Sequence, residues 1–205
     1  MPQIDESDVQ AAYSRIKALV LETPVFSSQA LNQLLGCEVI FKGEHLQRGG
    51  AFKARGAINM VYAQPLSELA SGVCTHSSGN HGAALARAAR ARGVAAHIVM
   101  PKNASPVKRR LVGHFGGHLI ECDNSLEARE KARRALAART GALYVPPFDA
   151  PLIIAGQGTA LLEFKRQTPD LDAVVVPVGG GGLLAGSCLV RDRVLVYGAE
   201  PEGAS

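Results

Sequence analysis

The sequence predicts an α/β protein with two parallel sheets, and three observations support this fold class. From Gly72 onward, short apolar runs typical of strands alternate with helical stretches. A nearly continuous apolar run over residues 171–178 is typical of a strand buried on both faces. No linker or low-complexity segment separates the first alternating group from the second. We therefore expect helices packed on parallel strands in two lobes, with a cleft between them.

Two helices are expected before the alternation begins. Ser7 and Gln10 have the spacing of a capping box and predict a helix that continues to about Val20. A second helix is expected over residues 28–35, because Gly36 is a natural residue for the C-terminal cap. A short β-rich run over residues 37–42 completes this part of the chain.

The alternating elements form two groups. In the first group, strands are expected over residues 73–75, 95–100, 118–122 and 142–145, and helices over residues 80–92, 106–115 and 125–140. In the second group, the order is a helix over residues 156–167, a strand over 171–178, a short helix over 183–190 and a strand over 194–197.

Composition and charge argue against several classes of protein. The chain is 47% apolar and 20% charged, with a net charge of +4. Its basic residues fall on predicted helices without interleaved aromatic residues, so we expect no nucleic-acid binding. The polar N-terminus and the lack of a long apolar stretch predict neither secretion nor membrane insertion. Four widely spaced cysteines without a CxxC pair fit a reducing cytoplasm and do not suggest a zinc site.

Four consecutive glycines, Gly179, Gly180, Gly181 and Gly182, follow the apolar strand and precede a helix. Without Cβ atoms, the backbone can approach an anion closely, and its N–H groups and the helix dipole favour negative charge. The pattern is neither GxGxxG nor a P-loop, so it does not indicate a dinucleotide. The segment predicts a phosphate-binding loop, with a flexible turn as the alternative.

Lys53 is the candidate nucleophile. Gly49 and Gly50 precede it, Phe52 is adjacent, and a helix of small residues follows. These neighbours can desolvate the amine, lower its pKa and allow it to bond covalently to a carbonyl carbon. A lone lysine is more often a surface charge, and the spacing alone leaves that alternative open.

A polar segment over residues 75–82, with the sequence THSSGNHG, stands between a predicted strand and a predicted helix. Open α/β sheets bind ligands at this edge. The hydroxyl, amide and helix N–H groups can hold a carboxylate and a phenolic oxygen. The alternative is a simple helix cap formed by Ser78 or Asn80, with His81 as a structural residue.

In this order, the lysine segment, the polar segment and the glycine loop resemble the fold-type II pyridoxal-phosphate (PLP) enzymes. The resemblance is to the group of threonine/serine dehydratases and serine racemases, and it covers nearly the whole chain. Further matches lie at residues 23–25 (TPV), 147–149 (PFD), 155–159 (AGQGT) and 200–201 (EP).

The resemblance implies a tryptophan synthase β-like fold with two parallel-sheet lobes. Residues 1–50 and 146–205 would form a large lobe, incomplete at its C-terminal end, and residues 51–145 a small lobe. The family continues for roughly another hundred residues, about the size of a further domain. The resemblance also shows a departure at Ala51, where the family commonly has a serine.

The resemblance implies a role for each matching residue. Lys53 would bind PLP covalently and move protons at the substrate Cα, with Phe52 packed beside the pyridine ring. Asn80 would hydrogen-bond to the phenolic oxygen, and residues 179–182 would hold the phosphate. The substrate carboxylate would be surrounded by Ser77, Asn80 and His81.

Two further implied sites are less complete. Ser78 matches the serine that faces the lysine across the cofactor in the racemases. Glu200 and Ala204 match positions where some relatives bind a divalent cation. A further cation ligand would lie beyond Ser205, so we expect an incomplete metal site.

Three functions are compatible with these residues. The favoured one is a PLP-dependent ammonia-lyase of serine or threonine, because residues 147–149 resemble the dehydratases more than the animal racemases. The first alternative is a serine racemase, because Ser78 makes return of a proton to the opposite face chemically possible. The second is a non-catalytic PLP-binding remnant or modulatory subunit, which the early end of the chain favours. A homodimer or a complementing chain is the expected partner.

Overall fold

The computed structural model describes residues 4–77 and 79–204. This part of the chain contains the α-helices α1 (Glu6–Ile16), α2 (Gln29–Leu35), α3 (Lys53–Ala63), α4 (Asn80–Arg92), α5 (Pro106–His114), α6 (Leu126–Thr140), α7 (Pro151–Gln167) and α8 (Gly182–Leu189). The strands are β1 (Val25–Ser27), β2 (Ile40–Lys42), β3 (Val73–His76), β4 (Ala96–Pro101), β5 (His118–Cys122), β6 (Leu143–Tyr144), β7 (Ala173–Pro177) and β8 (Leu195–Ala199). None of these helices is long and apolar enough to cross a membrane.

The N-cap of helix α1 lies two residues before the predicted cap. Asp5 is the N-cap: its carboxylate accepts the Ser7 N–H at 2.8 Å, and Asp8 accepts the Asp5 N–H at 3.0 Å. The prediction of Ser7 as the cap is therefore wrong, because the Asp5 carboxylate satisfies the free N–H groups first. The helix also ends before Val20, since Val20 and its neighbour both donate to the carbonyl of Ile16 in a tight turn.

The first parallel sheet has the strand order β5-β4-β3-β6. Alternate residues along its strands face different layers. Ile98 and Met100 pack with Leu85 of α4 in the largest apolar cluster, whereas Val99 packs with Leu136 of α6. Helices α4 and α6 therefore cover opposite faces, and the polar segment that follows β3 lies at the carboxyl edge of this sheet.

In the described part of the chain, the second sheet consists of β7 and β8, which pair in parallel. Helix α8 lies between these two strands in the sequence. Val174 and Val196 pack on a cluster that includes residues of α1 and α7. On the opposite face, Val175, Leu195 and Tyr197 are 66%, 56% and 54% exposed. The expectation that the run at 171–178 is buried on both faces is therefore wrong, because no described element covers this second face.

Helix α7 is the most deeply buried helix of the second group. Residues 155–164 are all buried, because α1, α3 and α8 pack around them. The helix begins at Pro151, whereas the sequence predicted a start at Gly156. The short apolar run before Gly156 carries no clear helical period, but proline is favoured at the first helical positions.

A buried network of charged side chains links α7 to α3. Arg55 of α3 donates to Glu44 at 2.8 and 2.7 Å and to Glu163 of α7 at 3.1 and 2.9 Å. Lys42 donates to the Glu163 carboxylate at 2.5 Å and to the Thr23 carbonyl at 2.7 Å. Burial would lower the pKa of Arg55, but the two carboxylates outweigh burial and raise it. The guanidinium therefore stays charged, and two cations balance two anions.

Removing one carboxylate from this network should destabilise the fold. In the Glu163→Ala variant, Arg55 and Lys42 lose a shared anion, and we expect the free energy of unfolding to fall by about 3–5 kcal/mol. The control is Glu130→Ala, because Glu130 pairs with Arg134 on the surface of α6. Such exposed pairs contribute about 0.5 kcal/mol or less. Urea denaturation followed by circular dichroism measures both, and equal losses would contradict the importance of the buried network.

Candidate active site

Lys53 is the first residue of α3, and the glycines before it bring the chain sharply into the helix. Gly49 and Gly50 have φ values of +83° and +79°, a left-handed backbone that strains residues with side chains. The Lys53 ammonium donates to the carbonyl oxygen of Pro147 at 2.7 Å. This contact holds the lysine against the segment that leads into α7.

Burial lowers the pKa of Lys53 below the ordinary value of a lysine. A lowered pKa leaves more of the amine unprotonated at neutral pH, and that is the form that attacks a carbonyl carbon. The Phe52 ring centroid lies 5.2 Å from the Lys53 nitrogen and contributes apolar surroundings. The expected desolvation of Lys53 is confirmed, while its catalytic role stays a prediction.

The glycine loop connects β7 to α8 through a backbone with no room for side chains at two positions. A Cβ on Gly180 would lie 2.2 Å from Cδ1 of Phe148, and one on Gly182 would lie 2.7 Å from the Phe148 carbonyl oxygen. Gly181 has a φ of +79°. Because α8 begins at Gly182, the loop runs directly into the first turn of this helix, whose N–H groups have no partners within the helix. The loop therefore has the backbone that anion binding requires.

Lys53 and the glycine loop line the same cavity. Its volume is about 270 Å³, and it is bounded by Phe52, Lys53 and residues 177–183. The cavity thus combines a desolvated amine with a glycine backbone next to a helix start. This set of groups suits an aldehyde that carries a phosphate, so the residues present fit PLP.

The polar segment after β3 is organised by Ser77. Its hydroxyl oxygen accepts the N–H groups of Gly79 and Gly82, both at 3.2 Å. Gly79 is the N-cap of α4 and has no side chain, so Ser77 does the capping that the sequence attributed to Ser78 or Asn80. Asn80 is exposed in the first turn, and Ser78 lies outside the described residues.

His81 is enclosed behind this turn and is 2% exposed. Its Nε2 lies 3.2 Å from the Val145 carbonyl oxygen, and its Nδ1 is buried without a partner in the described chain. Burial, with a further contribution from the charge of Lys53, lowers the pKa of His81 to about 3. The imidazole is therefore neutral at physiological pH and offers no positive charge to a carboxylate.

The predicted carboxylate site is separate from the cavity lining. Ser77, Asn80 and His81 do not line the cavity around Lys53, although the charge of Lys53 acts on His81. Their role around a substrate carboxylate stays a prediction.

The predicted cation site has little support in the described residues. Glu200 is exposed directly after β8, and the side chain of Ala204 lies outside what the structure describes. Across residues 4–77 and 79–204, no group of three or more His, Cys, Asp or Glu side chains is gathered to bind a metal. A cation at Glu200 and Ala204 stays a prediction.

Two neighbours of the cavity were assigned no place in the site by the sequence interpretation. Pro147 offers its carbonyl to Lys53, and Phe148 fills the space above Gly180 and Gly182. In the sequence, both residues stood out only as matches to the family. A backbone carbonyl leaves no sequence signal, and an aromatic residue after two prolines is too common a pattern to identify a loop contact.

The fold and the cavity define an α/β enzyme core suited to a phosphorylated aldehyde. Residues 16–205 match the family described as pyridoxal-phosphate dependent enzyme. The chain belongs to this family, as the sequence resemblance predicted.

Individual relatives agree with this assignment. The chain is 41% identical to a serine racemase from Dictyostelium discoideum over 208 aligned residues, which cover 100% of the chain and 64% of the relative. It is 43% identical to a beta-hydroxyaspartate dehydratase from Paracoccus denitrificans over 201 residues, which cover 96% of the chain and 64% of the relative. The chain thus spans less than two thirds of the length of these relatives.

Solved structures confirm the predicted fold class. Maize serine racemase superposes with a TM-score of 0.96 at 42% identity, covering 98% of this chain and 62% of that one. A threonine deaminase from T.th. superposes with a TM-score of 0.91 at 40% identity, covering 97% of this chain and 66% of that one.

Stability should depend on pH through His81. Because its pKa is lowered from 6.5 to about 3, the unfolded chain binds more protons between these values, and the free energy of unfolding falls as the pH decreases below 6.5. By about pH 5, the loss due to His81 is on the order of 2 kcal/mol. We expect this part of the loss to disappear in His81→Gln and to persist in His114→Gln, whose imidazole is exposed. Urea titrations at about pH 7.5 and 5 measure the difference, and an unchanged pH dependence in His81→Gln would refute the assignment.

Proposed function

We propose that this chain is the catalytic core of a PLP-dependent ammonia-lyase that converts serine or threonine to a 2-keto acid and ammonia. The observation that supports the proposal is the single cavity shared by the desolvated Lys53 amine and the glycine loop at 179–182. The family match supports PLP as the cofactor. Relatives named as a dehydratase and a deaminase support the lyase reaction.

Each part of the cavity has a task in this reaction. When bound, PLP supplies an electron sink that stabilises negative charge at the substrate Cα. The backbone N–H groups of residues 179–182 would hold the phosphate and Phe52 would pack beside the ring, while Asn80, from the polar segment outside the cavity lining, would hydrogen-bond to the phenolic oxygen. Lys53 would hold the cofactor covalently through its amine and would act as the base that removes the proton from Cα.

The fate of the substrate after this proton transfer distinguishes the lyase from the first alternative, a serine racemase. Departure of the β-hydroxyl as water, followed by hydrolysis of the resulting unsaturated amine, gives the keto acid and ammonia, whereas return of a proton to the opposite face of Cα inverts the amino acid. Ser78 is the candidate donor on that face. The names of the Dictyostelium and maize relatives support the racemase alternative, and the resemblance of residues 147–149 to the dehydratases supports the lyase.

The second alternative is a non-catalytic chain that binds PLP and modulates an intact relative. The exposed apolar face at Val175, Leu195 and Tyr197 supports a need for a covering partner, either a second copy or a complementing chain. The proposal of a lyase also includes a cytoplasmic location and a small amino acid as the substrate.

The cofactor proposal predicts a visible absorption band that depends on Lys53. Purified chain incubated with PLP should show the band of a lysine-bound cofactor, and Lys53→Ala should lack it. Lys108→Ala is the control, because Lys108 is an exposed lysine on α5. A folded wild-type chain without the band, or a band that survives in Lys53→Ala, would refute the proposal.

The reaction proposal predicts the product. With L-serine or L-threonine, the wild-type chain should release keto acid and ammonia in equal amounts, and Ser78→Ala should retain most of this activity. D-serine as the main product, lost in Ser78→Ala, would favour the racemase. Bound PLP without either product would favour the non-catalytic alternative.

A further inference from the structure

Two glycines of α7 lie in contact with two different helices of the cavity. Gly156 faces Gly56 of α3, and a Cβ on Gly156 would lie 2.6 Å from the Gly56 Cα. Gly158 faces Gly186 of α8, and a Cβ on Gly158 would lie 2.6 Å from the Gly186 carbonyl oxygen. Both contacts join backbone to backbone, so neither can yield by rotating a side chain.

Each contact lies about one helical turn from a group that lines the cavity. Gly56 is three residues after Lys53, the first residue of α3, and Gly186 is four residues after Gly182, the first residue of α8. At a rise of about 1.5 Å per residue, these separations are roughly 4.5 and 6 Å along the two helices. A displacement of the backbone at either contact therefore moves the Lys53 amine or the phosphate loop, which is the glycine loop at residues 179–182, by nearly the same distance.

We propose that the AGQGT segment of α7 sets the distance between the Lys53 amine and the phosphate loop. Gly158 and Gly186 are positioning residues, and so are Gly56 and Gly156. Because these glycines have no side chains, α3 and α8 pack directly on the backbone of α7. This close packing fixes the position of both helices relative to α7. This inference rests on the proposed binding of PLP by Lys53 and the glycine loop.

The α3 side of this arrangement is fastened by additional contacts. Gln157 accepts the Gly56 N–H at 3.2 Å, and Arg55 is paired with Glu163. On the α8 side, Lys165 donates to the Val190 carbonyl at 2.8 Å, beyond the far end of α8. The loop end of α8 therefore depends more directly on the contact between its glycine and α7.

Adding a methyl group at Gly158 should move α8 and leave both binding groups chemically intact. The 2.6 Å approach to the Gly186 carbonyl is too short for any real Cβ, so the backbones must separate. PLP binds through two linked attachments, and its affinity depends on both being reachable at once. A misplacement on the order of 1 Å can cost up to about a hundredfold in a positioned reaction.

The test uses ligands that report the two attachments separately and together. Pyridoxal, which lacks the phosphate, reports the Lys53 amine, and inorganic phosphate reports the loop. PLP and a PLP homologue with one extra methylene in the phosphate arm report the distance between them. Affinities are measured by absorption and calorimetry on wild type, Gly158→Ala and Gly186→Ala. The control is Gly113→Ala in α5, where an added Cβ meets nothing within 4 Å.

We expect Gly158→Ala and Gly186→Ala to lose at least about tenfold in PLP affinity, while pyridoxal and phosphate affinities change by about twofold or less. The preference for PLP over its longer homologue should shrink in both variants and stay at the wild-type value in Gly113→Ala. Equal weakening of all the ligands, or unchanged PLP affinity, would overturn the inference.

Two further outcomes distinguish a failure of the positioning role from a failure of PLP binding by Lys53. If both alanine variants fail to fold, the wild-type chain alone decides, because equal binding of PLP and its longer homologue would show that no fixed distance exists. If the wild-type chain forms no covalent bond between Lys53 and PLP, the proposed function fails and the positioning role fails with it. Normal PLP binding with no selectivity for arm length defeats the positioning role only.

Discussion

The placement of the candidate site depends on the buried guanidinium of Arg55. It joins Glu44, ahead of the lysine helix, to Glu163 in α7. A fully buried cation is tolerated only when its partners satisfy it on every side. The start of α3 is therefore fixed from two directions, and Lys53, two residues earlier in the same helix, takes its position from that arrangement.

Helix α7 also positions the other half of the cavity, the glycine loop, relative to α3. Its glycine contact with α8 positions the helix start that follows the phosphate loop, while its carboxylate Glu163 anchors α3. The amine and the loop are thus placed relative to one buried helix. This explains physically why a motif remote from the cavity lining, AGQGT, accompanies the lysine and glycine motifs in one chain.

The sequence predicted the structure well where local preferences decide it. Helix α2 spans Gln29–Leu35, against an expected range of 28–35, and Gly36 ends it at a φ of +67°, as expected. Long-range contacts were not predictable, because the partners of Arg55 stand 11 and 108 residues away and no local pattern connects them. The cap of α1 was misplaced for a different reason: two suitable cap residues, Asp5 and Ser7, stand close together, and it is the Asp5 carboxylate that accepts the Ser7 N–H.

We propose that the fold directs PLP to Lys53 and not to any accessible lysine. The most direct measurement is borohydride reduction of the chain with substoichiometric PLP, followed by peptide mapping of the pyridoxyl group by mass spectrometry. We expect labelling of Lys53, with exposed lysines such as Lys17 and Lys108 left unmodified. Labelling spread over exposed lysines, with Lys53 unmodified, would contradict it.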